Sequence, residues 1–153
     1  MKLSTRARYG LRALIDLASH SGDGPLMMRV IARNQVLSKR YLDNIFATLR
    51  QEGLVLSVRG AAGGYRLARK AEDIRLDEGV EALEGNLLLV HCGEELSTTC
   101  DRRGRCAASE VWRDASMALR DSLHGVTLAD LVERQKWLDG EFADIQAVEA
   151  PPR

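Results

Sequence analysis

Three cysteines, the chain's full complement, lie close together at Cys92, Cys100 and Cys106 in a sequence of 153 residues. The residues between them are polar, small or charged, as in a surface loop rather than a packed helix. Thiolates spaced this widely suit a loop that wraps an iron–sulfur cluster. Zinc completed by His91 or His124 is an alternative, although zinc sites usually contain closer cysteine pairs. A third possibility is a set of unligated thiols that act as a redox sensor.

A cluster bound by three cysteines has one further coordination position to fill. The nearby side chains that could fill it carry imidazole, carboxylate or hydroxyl groups, and a second subunit or a small molecule is an equal candidate. These side chains are His91, Glu94, Glu95, Asp101, Ser109 and Glu110. The sequence does not choose among them.

The net charge of zero hides a division between the two halves of the chain. Residues 1–70 carry 13 Lys/Arg and 4 Asp/Glu, a net charge of +9, and residues 71–153 carry 9 and 18, a net charge of −9. This division indicates that only the first half meets a polyanion such as nucleic acid.

The spacing of apolar residues predicts a mostly α fold with one small β hairpin. A short helix, a turn of about three residues and a longer helix beginning at Ser38 form a helix-turn-helix. Two strands around a glycine-rich turn at 59–64 then form the wing of a winged helix. The helices are predicted at 4–20, 28–35, 38–52, 77–84, 108–122 and 127–135 or beyond, and the strands at 54–58 and 65–68.

A recognition helix reads base edges in the major groove with residues near its N-terminus. The candidates in that part of the chain are Ser38, Lys39, Arg40, Tyr41 and Asp43. The cationic side chains donate to guanine or phosphate, and Asp43 can accept from cytosine or repel the DNA backbone.

The wing supplies a second contact with DNA. Arg59 and Gly60 lie in its glycine-rich turn, where an arginine suits a narrow minor groove. In helix 108–122, Trp112 and Leu119 lie on an apolar stripe typical of a dimer interface. A homodimer would place two recognition helices about one turn of DNA apart, on a near-palindromic operator.

With these motifs in place, the chain resembles the IscR/NsrR/RirA-type winged-helix iron–sulfur transcription regulators. The resemblance extends over about residues 1–137. Its motifs are residues 1–10, Leu37-Ser38, Tyr41-Leu42, Gly53-Leu54-Val55, the wing sequence 58–65, and the three-cysteine loop followed by residues 111–114.

The resemblance implies a homodimeric regulator in which Cys92, Cys100 and Cys106 bind a cluster, with [2Fe-2S] favoured over [4Fe-4S]. It also implies that residues 38–41, Arg59 and Gly60 contact double-stranded DNA. Members respond to iron–sulfur status, iron, nitric oxide or redox state, and some bind no cluster.

The chain departs from the family pattern at four positions. The first two cysteines are more widely spaced than is usual, Ser109 stands where IscR-like members supply a histidine ligand, and Arg8 stands where NsrR-like members supply an acidic one. These three departures concern the identity of the fourth cluster ligand.

A further departure is Val36, where a turn glycine is common. Because a β-branched residue disfavours positive φ, the turn is expected to differ.

The sequence therefore predicts a transcription regulator that is not an enzyme. Its expected parts are a winged helix-turn-helix at 1–75, a cysteine-loop and dimerisation region at 76–140 that forms one compact unit with it, and a flexible tail at 141–153. No leader or membrane-spanning run is evident, which predicts a cytoplasmic protein. One alternative is the same fold without a cluster, responding through thiol oxidation or a protein partner. The other is a zinc or cluster-binding protein that binds no DNA.

Overall fold

The computed structural model describes residues 3–60, 62–90, 102 and 105–149, with side chains up to residue 140. The helices and strands match the sequence-predicted elements closely, and the mostly α fold with a small β wing is confirmed. The helices are α1 (Thr5–Ser19), α2 (Met28–Gln35), α3 (Lys39–Gln51), α4 (Leu76–Glu84), α5 (Ala107–His124) and α6 (Leu128–Glu149), and the strands are β1 (Val55–Val58) and β2 (Gly64–Leu67). A short 3-10 helix, Ala71–Asp73, precedes α4. None of the described helices is long and apolar enough to cross a membrane.

Helix α6 agrees with the prediction of a helix that extends through residue 135 or beyond. Its backbone is helical to Glu149. The flexibility of residues 141–153 and the division of the chain at residue 75 stay predictions.

The helix-turn-helix is α2, the turn at 36–38, and α3. Ser38 caps α3, because its hydroxyl accepts a hydrogen bond from the Tyr41 backbone N–H at 3.2 Å. Val36 ends α2 with φ 55° and ψ 46°, in the left-handed region. The expectation that valine would change this turn is wrong. The backbone keeps the conformation that glycine favours, and valine adopts it despite the steric conflict at its branched Cβ.

The wing is an antiparallel hairpin in which Val55 pairs with Leu67 and Val58 with Gly64. Gly64 also lies against the strand-like segment before α2, where Leu26 and Tyr65 exchange backbone hydrogen bonds of 2.8 and 2.9 Å. A Cβ at Gly64 would collide with the Leu26 carbonyl oxygen. Glycine is therefore needed where the wing meets the helix-turn-helix.

The core joins the winged helix to the C-terminal part of the chain. Its largest fully buried side chains include Phe46, Leu14 and Ile31, and Leu128 and Val132 of α6 belong to the same cluster. Helices α1 and α4 approach closely at Gly10, where an added Cβ would overlap the Leu83 side chain. Helix α4 thus lies directly against the DNA-binding half.

Helix α5 lies on the outside of this body, and Ser116 is its only buried residue. Three polar contacts attach it. The Leu89 backbone N–H donates to Ser116 Oγ at 3.0 Å, Arg120 pairs with Glu81 at 3.2 Å, and His124 Nδ1 lies 2.9 Å from Asp77 Oδ2. The last two contacts are with α4, so α4 lies between α5 and the DNA-binding half.

Candidate nucleic-acid interface and cysteine segment

The outer surface of α3 is set by its amphipathic spacing. Leu42, Ile45, Phe46 and Leu49 are buried, which turns the opposite side of the helix to solvent. A row of exposed residues runs along the centre of that side at helical spacing. The row consists of Arg40, Asn44, Ala47 and Gln51. Sequence reasoning identified Arg40 but missed Asn44, which the four-residue step from Arg40 could have found.

Lys39 and Asp43 lie on the flank of α3 that faces the wing. Their side chains form an ion pair of 2.8 Å across one helical turn. The hydrogen bond to Asp43, followed by the carboxylate charge, raises the pKa of Lys39. Asp43 therefore neutralises the nearest cation on this flank, which limits how strongly Lys39 attracts phosphate.

The same flank of α3 and the wing enclose an open groove of about 440 Å³. Lys39 and Asp43 line it from the helix, and Ser57 and Gly60 line it from the hairpin. Gly60 has φ +117°, which glycine alone tolerates well, and its carbonyl accepts from the Gly63 N–H at 2.9 Å. The structure thus brings three of the predicted residues, Lys39, Asp43 and Gly60, around one groove, with Arg59 exposed at the turn.

Tyr41 lies on the other flank of α3, against α1. Its ring packs edge-on against Tyr9, with 6.3 Å between the ring centroids. The guanidinium groups of Arg8 and Arg12 lie 5.9 and 5.6 Å from the Tyr9 ring. Tyr41 is half-buried, so it presents only part of its side chain to a ligand on the outer surface.

Of the three cysteines, Cys106 is the one that the structure describes. Cys92 and Cys100 lie outside the described residues. Cys106 is partly exposed, immediately precedes α5 and makes no side-chain capping bond there. A helix N-terminus favours negative charge, so the position suits a thiolate ligand. Within the described part of the chain, no group of three or more His, Cys, Asp or Glu residues could hold a metal ion.

Two suggested ligands to a metal at Cys106 make other contacts. Ser109 Oγ donates to the Cys106 carbonyl oxygen at 2.7 Å. His124 lies at the far end of α5, roughly 27 Å away at the usual helical rise, and contacts Asp77. A zinc site formed by Cys106 and His124 of the same protomer is therefore wrong.

The outward side of α5 carries apolar residues with no partner among the described residues. Val111 is 61% exposed and Trp112 is 45% exposed. Ala118 is also exposed, and Ala115 and Leu119 are partly exposed on the same side. Met117, which is 55% exposed, projects from the other side of the helix, where it borders a small cleft with Leu87 and Leu88.

The family model for Rrf2, described as an iron-dependent transcriptional regulator, matches residues 3–134. The chain belongs to the Rrf2 family. It is 42% identical over 132 residues to protein rrf2 of Nitratidesulfovibrio vulgaris, covering 86% of this chain and 87% of that protein.

Two solved structures show the same architecture. CymR (YrzC), the global cysteine regulator of B. subtilis, has a TM-score of 0.72 and 35% identity, covering 88% of this chain and 98% of that one. T. potens IscR has a TM-score of 0.71 and 34% identity, covering 100% and 94%.

Family membership confirms that the chain is a DNA-binding transcription regulator and not an enzyme. It also decides against the alternative of a metal-binding protein without DNA binding. The winged helix described above is therefore the part of the molecule that binds nucleic acid. Individual DNA contacts, the ligand of the cysteines and the signal are matters for proposal.

Proposed function

We propose that this Rrf2-family protein regulates transcription in response to an iron–sulfur cluster held by Cys92, Cys100 and Cys106, with [2Fe-2S] favoured. The observation that carries the proposal is the position of Cys106. A partly exposed thiol stands at the N-terminus of α5, directly after the segment that contains the other two cysteines. Any ligand that fixes this thiol also fixes the start of α5. The signal would be iron–sulfur cluster status, iron, nitric oxide or redox state.

The donor set fits a cluster better than it fits zinc. Thiolates are the usual ligands of iron–sulfur clusters, and three of them leave one position for another donor. The sequence lacks the close cysteine pair typical of structural zinc. When bound, the cluster would supply an iron centre that reacts with oxidants and nitric oxide. Ser109 Oγ donates to the Cys106 carbonyl oxygen and Arg8 is cationic, so neither position carries the histidine or the acidic ligand expected from the family pattern.

DNA binding is proposed through the recognition helix and the wing. Ser38, Lys39, Arg40, Tyr41 and Asp43 were identified from sequence, and the outward row adds Asn44. An exposed asparagine in the middle of a recognition helix suits bidentate hydrogen bonding to adenine. Arg59 and Gly60 would follow the adjacent minor groove, since the turn that holds them stands beside the α3 groove.

A homodimer is proposed through the outward side of α5. Exposed apolar residues such as Val111 and Trp112 would be covered by the same helix of a second copy, as in an isologous twofold interface. Two winged helices would then face a near-palindromic operator about one turn apart. A cytoplasmic location follows for a protein that acts on DNA in this way.

The contacts of α5 offer a path from the cysteines to DNA. Helix α5 begins after Cys106 and is attached to α4 through Glu81 and Asp77, and α4 packs against α1 at Gly10. A ligand that reorients α5 would bias the placement of the two winged helices. The ligand binds the arrangement of winged helices that fits DNA and the arrangement that does not with different free energies. That difference equals the change that the ligand causes in the free energy of DNA binding.

The proposal is tested with protein purified without oxygen. We expect a brown protein with bound iron and sulfide, and we expect Cys92→Ala and Cys106→Ala to lose both together with the cluster-dependent change in DNA affinity. Ser97→Ala, in the same segment, serves as the matched control and should keep the cluster. Protein that holds no iron after anaerobic reconstitution would overturn the cluster proposal but leave family membership and DNA binding intact.

A regulator without a cluster is the second candidate. The similarity to CymR, a global cysteine regulator, supports it, because the chain is as similar to that structure, with a TM-score of 0.72, as to IscR, with 0.71. In this case Cys92→Ala would alter the response to a thiol oxidant such as diamide, and the protein would contain no iron. Iron and sulfide analysis therefore separates the two candidates.

A further inference from the structure

Val36 is the clearest local anomaly in the helix-turn-helix. It is the only described residue other than glycine with positive φ, at 55°. Its side chain is 88% exposed, more than any other exposed large apolar side chain in the described residues. The residue therefore combines a strained backbone with an apolar group that is left in water.

The strain gains nothing for the fold of the isolated chain. A left-handed conformation is costly for a β-branched residue, and glycine adopts it readily. The hydrogen bonds of the turn are made by the backbone, since the Val36 N–H donates to the Arg33 carbonyl and the Leu37 N–H donates to the Ala32 carbonyl. Glycine would make the same bonds without strain. The fold needs the left-handed turn but does not need valine there. A strained residue type that the fold does not need indicates a role in binding.

The location of Val36 restricts what it could bind. It lies in the turn two residues before Ser38, the cap of the recognition helix, and the next exposed residues are Ser38, Lys39 and Arg40. The apolar neighbour Leu37 packs against the core, so Val36 is the exposed large apolar side chain of the turn. A single valine is too small to form a protein interface, which needs a contiguous apolar patch. In the major groove, the prominent apolar group is the C5-methyl of thymine.

We propose that Val36 is a specificity-determining residue that packs its branched side chain against a thymine methyl group at the edge of the operator half-site. The inference rests on the proposed DNA interface, in which the N-terminus of α3 enters the major groove. It goes beyond that interface because it assigns base reading to the turn, outside α3 itself.

The experiment uses the full-length wild-type protein and a duplex enriched by it from a randomised pool of about 26 base pairs, long enough for two half-sites. Each thymine of that duplex is replaced in turn by deoxyuridine, which removes only the methyl group. Dissociation constants are measured by fluorescence anisotropy for wild type, Val36→Ala and Val36→Gly. Alanine retains the Cβ but lacks the branched methyls, so it separates side-chain contact from backbone freedom.

For wild type, we expect deoxyuridine at one symmetry-related thymine position to weaken binding about fourfold for each methyl group removed. Val36→Ala and Val36→Gly should each bind the thymine duplex and the duplex with deoxyuridine at that position with equal affinity. Both variants should bind the thymine duplex about as weakly as wild type binds the deoxyuridine duplex. Val36→Gly should unfold at no lower temperature than wild type, which shows that its weaker binding does not come from impaired folding.

Three results would overturn the inference. The first is that no thymine replacement affects wild type. The second is that the deoxyuridine effect is as large in Val36→Gly as in wild type. The third is weaker binding by Val36→Gly that does not depend on any thymine, which would point to a sugar or backbone contact. A pool from which wild type enriches no sequence would instead refute the proposed base-reading interface, and the role of Val36 with it.

Discussion

At the scale of single residues, the recognition surface depends on side chains that the core leaves exposed. The buried positions of α3 fix the direction of every other position, so Arg40 and Asn44 project outward together. Lys39 and Asp43 instead satisfy each other across one turn. Residue type alone would rank Lys39 above Asn44 as a DNA contact, and the geometry reverses that order.

Asn44→Ala is expected to relax sequence preference. Removing a bidentate amide weakens the free energy of binding by about 1–3 kcal/mol when the preferred base pair is present, and by little when that base pair has been replaced. Anisotropy titrations with the enriched duplex and with a duplex changed at each A·T position would measure this difference. Gln51→Ala is the matched control, because Gln51 is exposed in the same row but lies at the end of α3 far from the turn. An equal loss on every duplex would identify Asn44 as a phosphate contact instead.

The sequence predicts helix starts and side-chain directions wherever neighbouring residues along the chain determine them. The start of α3 at Ser38 follows from the capping preference of serine, and the outward direction of Arg40 follows from helical periodicity. The contact between Asp77 and His124 joins residues 47 positions apart and has no local signal. The positive φ of Val36 does not follow from its residue type, because β-branched residues disfavour that conformation and the turn between α2 and α3 imposes it.

At the scale of helices, α4 and α5 are connected through a buried carboxylate. Asp77 is 5% exposed and its Oδ2 contacts His124, whereas its Oδ1 has no hydrogen-bond partner among the described residues. A buried carboxylate with one satisfied oxygen is costly, and loss of the remaining partner makes it costlier.

His124→Ala should therefore destabilise the protein by about 1–3 kcal/mol, because it strips the buried carboxylate of its partner. The double variant Asp77→Ala/His124→Ala should recover part of this loss, since no carboxylate then remains to be satisfied. Urea unfolding followed by circular dichroism measures both. If the loss of stability in the double variant equals or exceeds the sum of the losses in Asp77→Ala and His124→Ala, the pairing is not the cause.

The outward side of α5 gives a prediction about assembly. Trp112→Asp should convert the proposed dimer to a monomer, because a charge would be buried in an apolar interface. Met117→Asp is the matched control, since Met117 is similarly exposed but projects from the other side of α5. Light scattering after size-exclusion chromatography measures the mass. A Trp112→Asp variant that stays dimeric while Met117→Asp dissociates would place the interface on the cleft side.

At the scale of the whole molecule, opposite charges are separated along the chain while the core is shared. Residues 1–70 carry a net charge of +9 and residues 71–153 carry −9, yet Leu128 and Val132 of the acidic half pack into the core of the winged helix. The acidic half would be repelled by DNA. The protein is thus expected to approach DNA with one side only, which orients the winged helices before specific contacts form.

This separation of charge predicts that DNA binding depends steeply on salt concentration, and that residues of the basic half cause this dependence. The logarithm of the association constant should fall linearly with the logarithm of salt concentration, with a slope of about −0.9 for each phosphate contact. Arg59→Ala should reduce the magnitude of that slope by roughly 2 in a dimer, one contact for each protomer. Arg105→Ala, an exposed arginine in the acidic half, should leave it unchanged. Titrations of the enriched duplex between about 50 and 200 mM KCl cover the required range.

Equal slopes for wild type and Arg59→Ala would show that the wing does not contact phosphate. A reduced slope for Arg105→Ala would show that the cysteine segment also lies against DNA.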